Sequence, residues 1–194
     1  MRLKAFIPAL IVLAVLTGQR AWALGPDDGF IAAKKIDGRY LSVELAPGVD
    51  QLSLLQSLNI SAQDKILAGQ YPGNPQFAFN SLPDLLDALF LWSSNILDMQ
   101  LLTYHGKVKV VRDAAELDAI YSRLFGIEHP GEKAFYVYEV NTVYVIAQEF
   151  TKEIVGHEVA HAIISNFFVV QPPMKVQEVL AGYIEYQLRK NPSP

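Results

Sequence analysis

Apolar residues recur along this chain of 194 residues with a changing period, and the period predicts the elements. FIAAKKIDGRYLSVEL (30–45) holds two strand-capable runs around Asp37–Gly38, so it reads as a β-hairpin. Residues 49–58 (VDQLSLLQSL) carry helical spacing, and Ser61 of SAQD (61–64) is placed to cap a second short helix. QYPGNPQFAFN (70–80), rich in Pro, Gly and Asn, marks the best internal boundary. A long helix is predicted beyond it, with Ser81 as cap, Pro83 in the first turn, and Asp84 and Asp87 at the positive end. Its apolar residues are interrupted by aspartates, serines and Asn95, which marks a core helix and not a membrane span.

KVKVV (107–111) alternates as a strand. DAAELDAIYSRLFG opens on Asp113 as cap, with Glu116 three residues later, and stops at Gly126. KAFYVYEV (133–140) and TVYVIAQ (142–148), rich in aromatic and β-branched residues, read as strands. Two helices, about 151–168 and 174–190, finish the chain on either side of QPP. There is no internal repeat and no low-complexity tract.

The N-terminus is different in kind. Arg2 and Lys4 precede AFIPALIVLAVL (5–16), an apolar run too short to span a bilayer comfortably, and AWA (21–23) supplies a small-x-small cleavage pattern. Residues 1–23 are expected to be a secretory signal, leaving no membrane span once removed. The domain expectation is then 24–80 as an N-terminal extension or small module, with GPDDG (25–29) as its solvated leader, and 81–194 as the main domain. The rhythm of 40–69 faintly resembles a LysM peptidoglycan-binding module, without its diagnostic residues, and implies at most a weak cell-wall association.

At 51% hydrophobic residues the chain can bury a sizeable core. Without residues 1–23 it keeps 13 of its 16 basic residues against 20 acidic ones, a formal charge of −7. Such a surface repels phosphate backbones, so nucleic acid is not an expected partner. With no cysteine, an exported form relies on packing or on a metal held by other ligands.

The chemistry concentrates in VGHEVAH (155–161). Two of the four histidines, His157 and His161, stand one helical turn apart on one face, where both imidazoles can converge on a zinc ion. Glu158 is rotated about 100° from His157, which suits a general base beside the metal. A third ligand is expected from QEVLAGYIEY (177–186), where Glu178 can face the histidines across an antiparallel helix pair. Leu180, Ala181 and Gly182 would let the second helix lie close, with Ile163, Ile164, Phe167 and Phe168 supplying the apolar contact. Glu185, seven residues after Glu178, is the alternative ligand or a supporting acid. His105 and His129 sit beside turns and read as solvated, while Tyr183 points away from Glu178 and reads as core.

HEVAH followed after a short connector by EVLAGY resembles the gluzincin metallopeptidases, whose signature is HExxH with a downstream Glu on a second helix. The resemblance covers about residues 105–190 and is nearest to minimal single-domain gluzincins. It implies a zincin-like α+β fold, a small mixed sheet packed on the active-site helix and the glutamate helix. It further implies Zn²⁺ held by His157, His161 and Glu178, Glu158 as the catalytic base, and TVYVI as the strand beside the cleft. Two features depart from the family: Gly182 stands where several members keep an acid, and the large C-terminal domain that supplies a transition-state donor in thermolysin-like enzymes has no counterpart. The expected function is an exported, periplasmic or secreted zinc metallopeptidase (a hydrolase) acting on a peptide or protein. The alternative is a non-catalytic envelope-associated binding protein with a structural or vestigial zinc site.

Overall fold

A computed structural model describes residues 27–60, 81–128 and 131–190; the expected signal, the helix expected at 61 and the boundary at 70–80 lie outside them, as does His129. Five strands form one mixed sheet: β1 (Lys34–Ile36), β2 (Leu41–Leu45), β3 (Gly106–Val111), β4 (Ala134–Val137) and β5 (Thr142–Ile146). Their order is β1-β2-β3-β5-β4, with β2, β3 and β5 parallel and the outer strands antiparallel. The helices are α1 (Gln51–Ser57), α2 (Leu82–Ile96), α3 (Ala114–Phe125), α4 (Lys152–Phe167) and α5 (Met174–Lys190). No helix among the described residues is long and apolar enough to cross a membrane.

Alternation along the strands decides the layers. Leu41, Val43, Leu45, Val108, Val110, Val143 and Val145 face α2, α4 and α5 in the larger core, while Tyr144, Phe135, Val137 and Ile146 face α3 on the other side. The hairpin forms as its Asp37–Gly38 turn predicts, and β2 then pairs in parallel with β3. Residues expected in an N-terminal extension thus contribute two strands to the common sheet and Leu54 and Leu58 to its core.

Capping follows the sequence. Ser81 accepts from the Asp84 N–H, Asp113 from the Glu116 N–H, and Gly126 closes α3 at φ 69°. Asp87, expected only to favour a helix start, is buried and accepts the N–H groups of Arg39, Tyr40 and Leu41 at 2.6, 2.8 and 2.9 Å. Burial pushes its carboxyl above the ordinary range against the pull of those three donors. It ties α2 to the hairpin turn.

Two expectations are corrected near the sheet edges. Strand 133–140 ends at Val137, because Tyr138–Val140 form a 3₁₀ turn and Asn141 adopts φ 47° to reverse the chain. The Asn141 side chain is a hub: its oxygen accepts from Tyr104 and Tyr136 hydroxyls at 2.8 and 2.9 Å, and its amide donates to the His105 carbonyl at 2.9 Å. The supposedly solvated leader is also anchored. Asp28 is 8% exposed and accepts from the Tyr144 hydroxyl at 2.6 Å and from the Lys109 ammonium. Burial raises its pKa, but those donors outweigh burial and hold it low. Asp27 remains exposed but pairs with Arg123 at 2.6 Å.

Candidate metal centre

Helix α4 begins at Thr151, whose hydroxyl accepts from the Ile154 N–H, and it runs unbroken through HEVAH. Its partner α5 comes close at Gly156, directly before His157. A Cβ there would overlap Leu188 Cδ1, so glycine lets the two backbones approach where the ligands must meet. Gly182, the glycine expected to allow close packing, has open space around it. Ala181, Ile184 and Leu188 supply the α5 side of the contact; Ile163 and Ile164 are buried, but Phe167 and Phe168 are exposed at the hairpin end and add little. The turn is held by Gln171, whose amide donates to the Ser165 carbonyl at 2.6 Å and the Phe168 carbonyl at 3.2 Å.

This packing brings the predicted side chains together. His157 Nε2 and His161 Nε2 lie 3.2 Å apart, and the Glu178 carboxylate lies 3.6 Å from the first and 3.5 Å from the second. Ligands at about 2.0–2.1 Å around a tetrahedral ion stand roughly 3.3–3.4 Å from one another; the two imidazole nitrogens have about that spacing, and Glu178 brings Oε2 towards His157 and Oε1 towards His161. Neutral imidazoles paired with one carboxylate are a donor set suited to Zn²⁺. Among the described residues His157, His161 and Glu178 form a group able to hold a metal ion.

The surroundings separate the roles of the remaining acids. Glu185 Oε2 lies 3.4 Å from His157 Nδ1, on the side of the ring away from the ligand cluster, and its other oxygen pairs with Arg189. His157 Nδ1 is buried and otherwise lacks a hydrogen-bond partner. A histidine binding through Nε2 carries its proton on Nδ1, which then needs an acceptor, and Glu185 is in place to serve. The geometry therefore sets Glu185 behind a ligand. Gln177, which the sequence does not single out, reaches the other ring: its side chain hydrogen-bonds His161 and donates to the Pro172 carbonyl at 2.9 Å. Its one legible signal was position, directly before Glu178. Burial, then the neighbouring His157, holds the His161 pKa below its ordinary value.

Glu158 is 9% exposed and accepts a hydrogen bond from the Tyr136 backbone N–H on β4. Burial pushes its pKa up to about 8, with the carboxylates of Glu132 and Glu178 adding to the effect. It lines, with His157, His161 and Glu178, a cleft of about 910 Å³ whose other wall is β4 and the residues before it. This corrects the expected cleft strand. TVYVI is β5, paired on both sides and buried throughout, whereas β4 is the edge strand with backbone groups to spare.

The other candidates lie apart. His105 approaches the Arg39 carbonyl at 3.3 Å, at the Asn141 hub. Tyr183, expected in the core, is 47% exposed. In comparisons with known proteins, no family model, no curated protein and no solved structure matches this chain.

Proposed function

We propose that this chain is an exported zinc-dependent hydrolase with a zincin-like fold that cleaves peptide bonds, in the manner of a minimal gluzincin. The observation that carries the reading is the convergence of His157, His161 and Glu178 at 3.2–3.6 Å beside the buried carboxyl of Glu158. Zinc, when bound there, supplies a Lewis acid that polarises a carbonyl and makes water a nucleophile near neutral pH. His157 and His161 would hold the ion through Nε2 with Glu178 as the third contact, Glu185 standing 3.4 Å behind the His157 ring and Gln177 beside that of His161. Glu158 accepts a proton from the attacking water and returns it to the leaving amine. The Tyr136 N–H orients its carboxyl. An extended peptide can lie along the free edge of β4, taking main-chain hydrogen bonds there while the cleft accommodates its side chains. Export rests on the basic start, apolar run and AWA site of residues 1–23.

The test is a peptide-library digest with zinc-loaded wild type and Glu158→Gln. Loss of roughly 10³-fold or more of the activity, at unchanged zinc content, is the expected result. A Glu158→Gln protein that keeps both zinc and full hydrolysis would sink the reading.

A further inference from the structure

Among the described residues β4 is paired on one side only, and its alternation decides what an extended peptide beside it would meet. The Ile146 N–H donates to the Lys133 carbonyl at 3.2 Å, and the register runs from Ala134↔Val145 to Val137↔Thr142. Lys133, Phe135 and Val137 therefore turn their main-chain groups to β5, while Ala134 and Tyr136 turn theirs to the open edge. The Tyr136 N–H meets Glu158 there, so Ala134 is the next residue whose groups face a peptide beyond the base.

Side chains alternate as well. Ala134 and Tyr136 pack with the larger core on the α4 side, and Phe135 packs with the smaller core on the α3 side. The cleft reaches both sides, because Tyr121 and Phe125 of α3 line it together with Phe135. These rings form one cluster, with centroids 4.6 Å apart for Tyr121 and Phe125, 5.1 Å for Tyr121 and Phe135, and 6.3 Å for Phe125 and Phe135. Leu117 and Ile120 are the buried residues of α3; Phe125, 45% exposed, lies beyond that stripe and shows its ring to the cleft.

We infer that Tyr121, Phe125 and Phe135 form a side-chain subsite, which takes a large apolar or aromatic residue of a peptide held along β4 and so selects the bond cut. This subsite deepens the peptidase reading and stands only if that reading does. The register names the occupant. In a peptide bonded to Ala134, the next residue towards Glu158 comes level with Phe135 and points to the α3 side, where facing side chains of a sheet touch. Glu158 bonds the residue after Phe135, so at about 3.3 Å per residue this position lies one or two residues from the bond attacked. The walls name its chemistry. Glu158, Glu178 and Glu185 line the cleft from the side of the metal ligands, whereas both residues that α3 contributes are aromatic. An aromatic guest extends their edge-to-face contacts, which a small or charged one does not.

The test is a peptide-library digest by the zinc-loaded protein, with both sides of every cut sequenced. At one position within about two residues of the cut, Phe, Tyr, Trp or Leu should exceed Ala roughly 10–100-fold in kcat/KM. Phe125→Ala should lower that ratio about 5-fold or more, and Phe125→Glu should turn the preference towards Lys and Arg. A substitution that only loosened the fold would slow all peptides alike and leave the ratio in place. Cleavage with no preference for large apolar residues near the cut would overturn the subsite and leave the peptidase standing, as would a preference indifferent to both Phe125 substitutions. A wild type that takes up zinc yet cleaves no peptide would overturn the peptidase reading, and the subsite with it.

Discussion

Replacing Glu158 by Gln should stabilise the metal-free protein while removing its chemistry. Gln keeps the size of the side chain and an acceptor for the Tyr136 N–H, but it carries no ionisable group. The carboxyl has a folded pKa of about 8 against an ordinary 4.5, so between these values the folded protein holds a proton that the unfolded chain releases. The sign follows: a raised folded pKa gives a contribution that is full below pH 4.5 and is lost as pH rises towards about 8. At 1.36 kcal/mol per pKa unit, wild type has lost about 3 kcal/mol at pH 7 and about 5 kcal/mol above pH 8. Glu158→Gln never incurs that loss. Urea unfolding in a chelator, repeated from pH 5 to 8.5, should show the variant's advantage grow from about 1 kcal/mol to those values. For a chain of this size each kcal/mol moves Tm by about 2–4 °C. An advantage that stays flat with pH, or a variant less stable than wild type at pH 8, would refute the burial of an ionisable Glu158. Stability gained where activity is lost is the expected signature of a carboxyl held out of water for chemistry.

Further outcomes follow from neighbouring contacts. Gly156→Ala forces Leu188 aside and spreads α4 from α5; the overpacking outweighs the better helix former by about 1 kcal/mol and weakens zinc binding, as urea unfolding and chelator competition will show. In the same competition, Glu178→Gln should all but abolish zinc binding, whereas Glu185→Gln should weaken it about 10–100-fold. The reverse order would make Glu185 the ligand. Asn141→Ala strands the Tyr104 and Tyr136 hydroxyls and puts alanine at φ 47°, so it should cost about 2–4 kcal/mol in urea unfolding; a loss under about 1 kcal/mol would mean the hub holds nothing.

Much of this was legible in the chain because the signals are local. Ser81, Asp113 and Gly126 mark helix ends through their own backbone neighbours, and HEVAH places two candidate ligands on one face by helical period alone. What escaped depends on partners far along the chain. Asp87 reads as a helix-start acid until the hairpin 46–48 residues earlier folds onto it. Asp28 reads as solvated until Tyr144, 116 residues on, reaches it. TVYVI and KAFYVYEV are both rich in aromatic and β-branched residues, and only sheet order makes β4 the edge. The choice between Glu178 and Glu185 turned on side-chain geometry that a 20° offset around a helix does not resolve. Because β2 pairs with β3, residues 24–80 depend on the rest of the sheet for their fold.

The most direct test of the metal centre is the zinc content of purified residues 24–194 after dialysis. The convergence of three ligands predicts about one zinc per chain, and none in His157→Ala. A wild-type chain that takes up no zinc even when reloaded would contradict the centre and the hydrolase built on it.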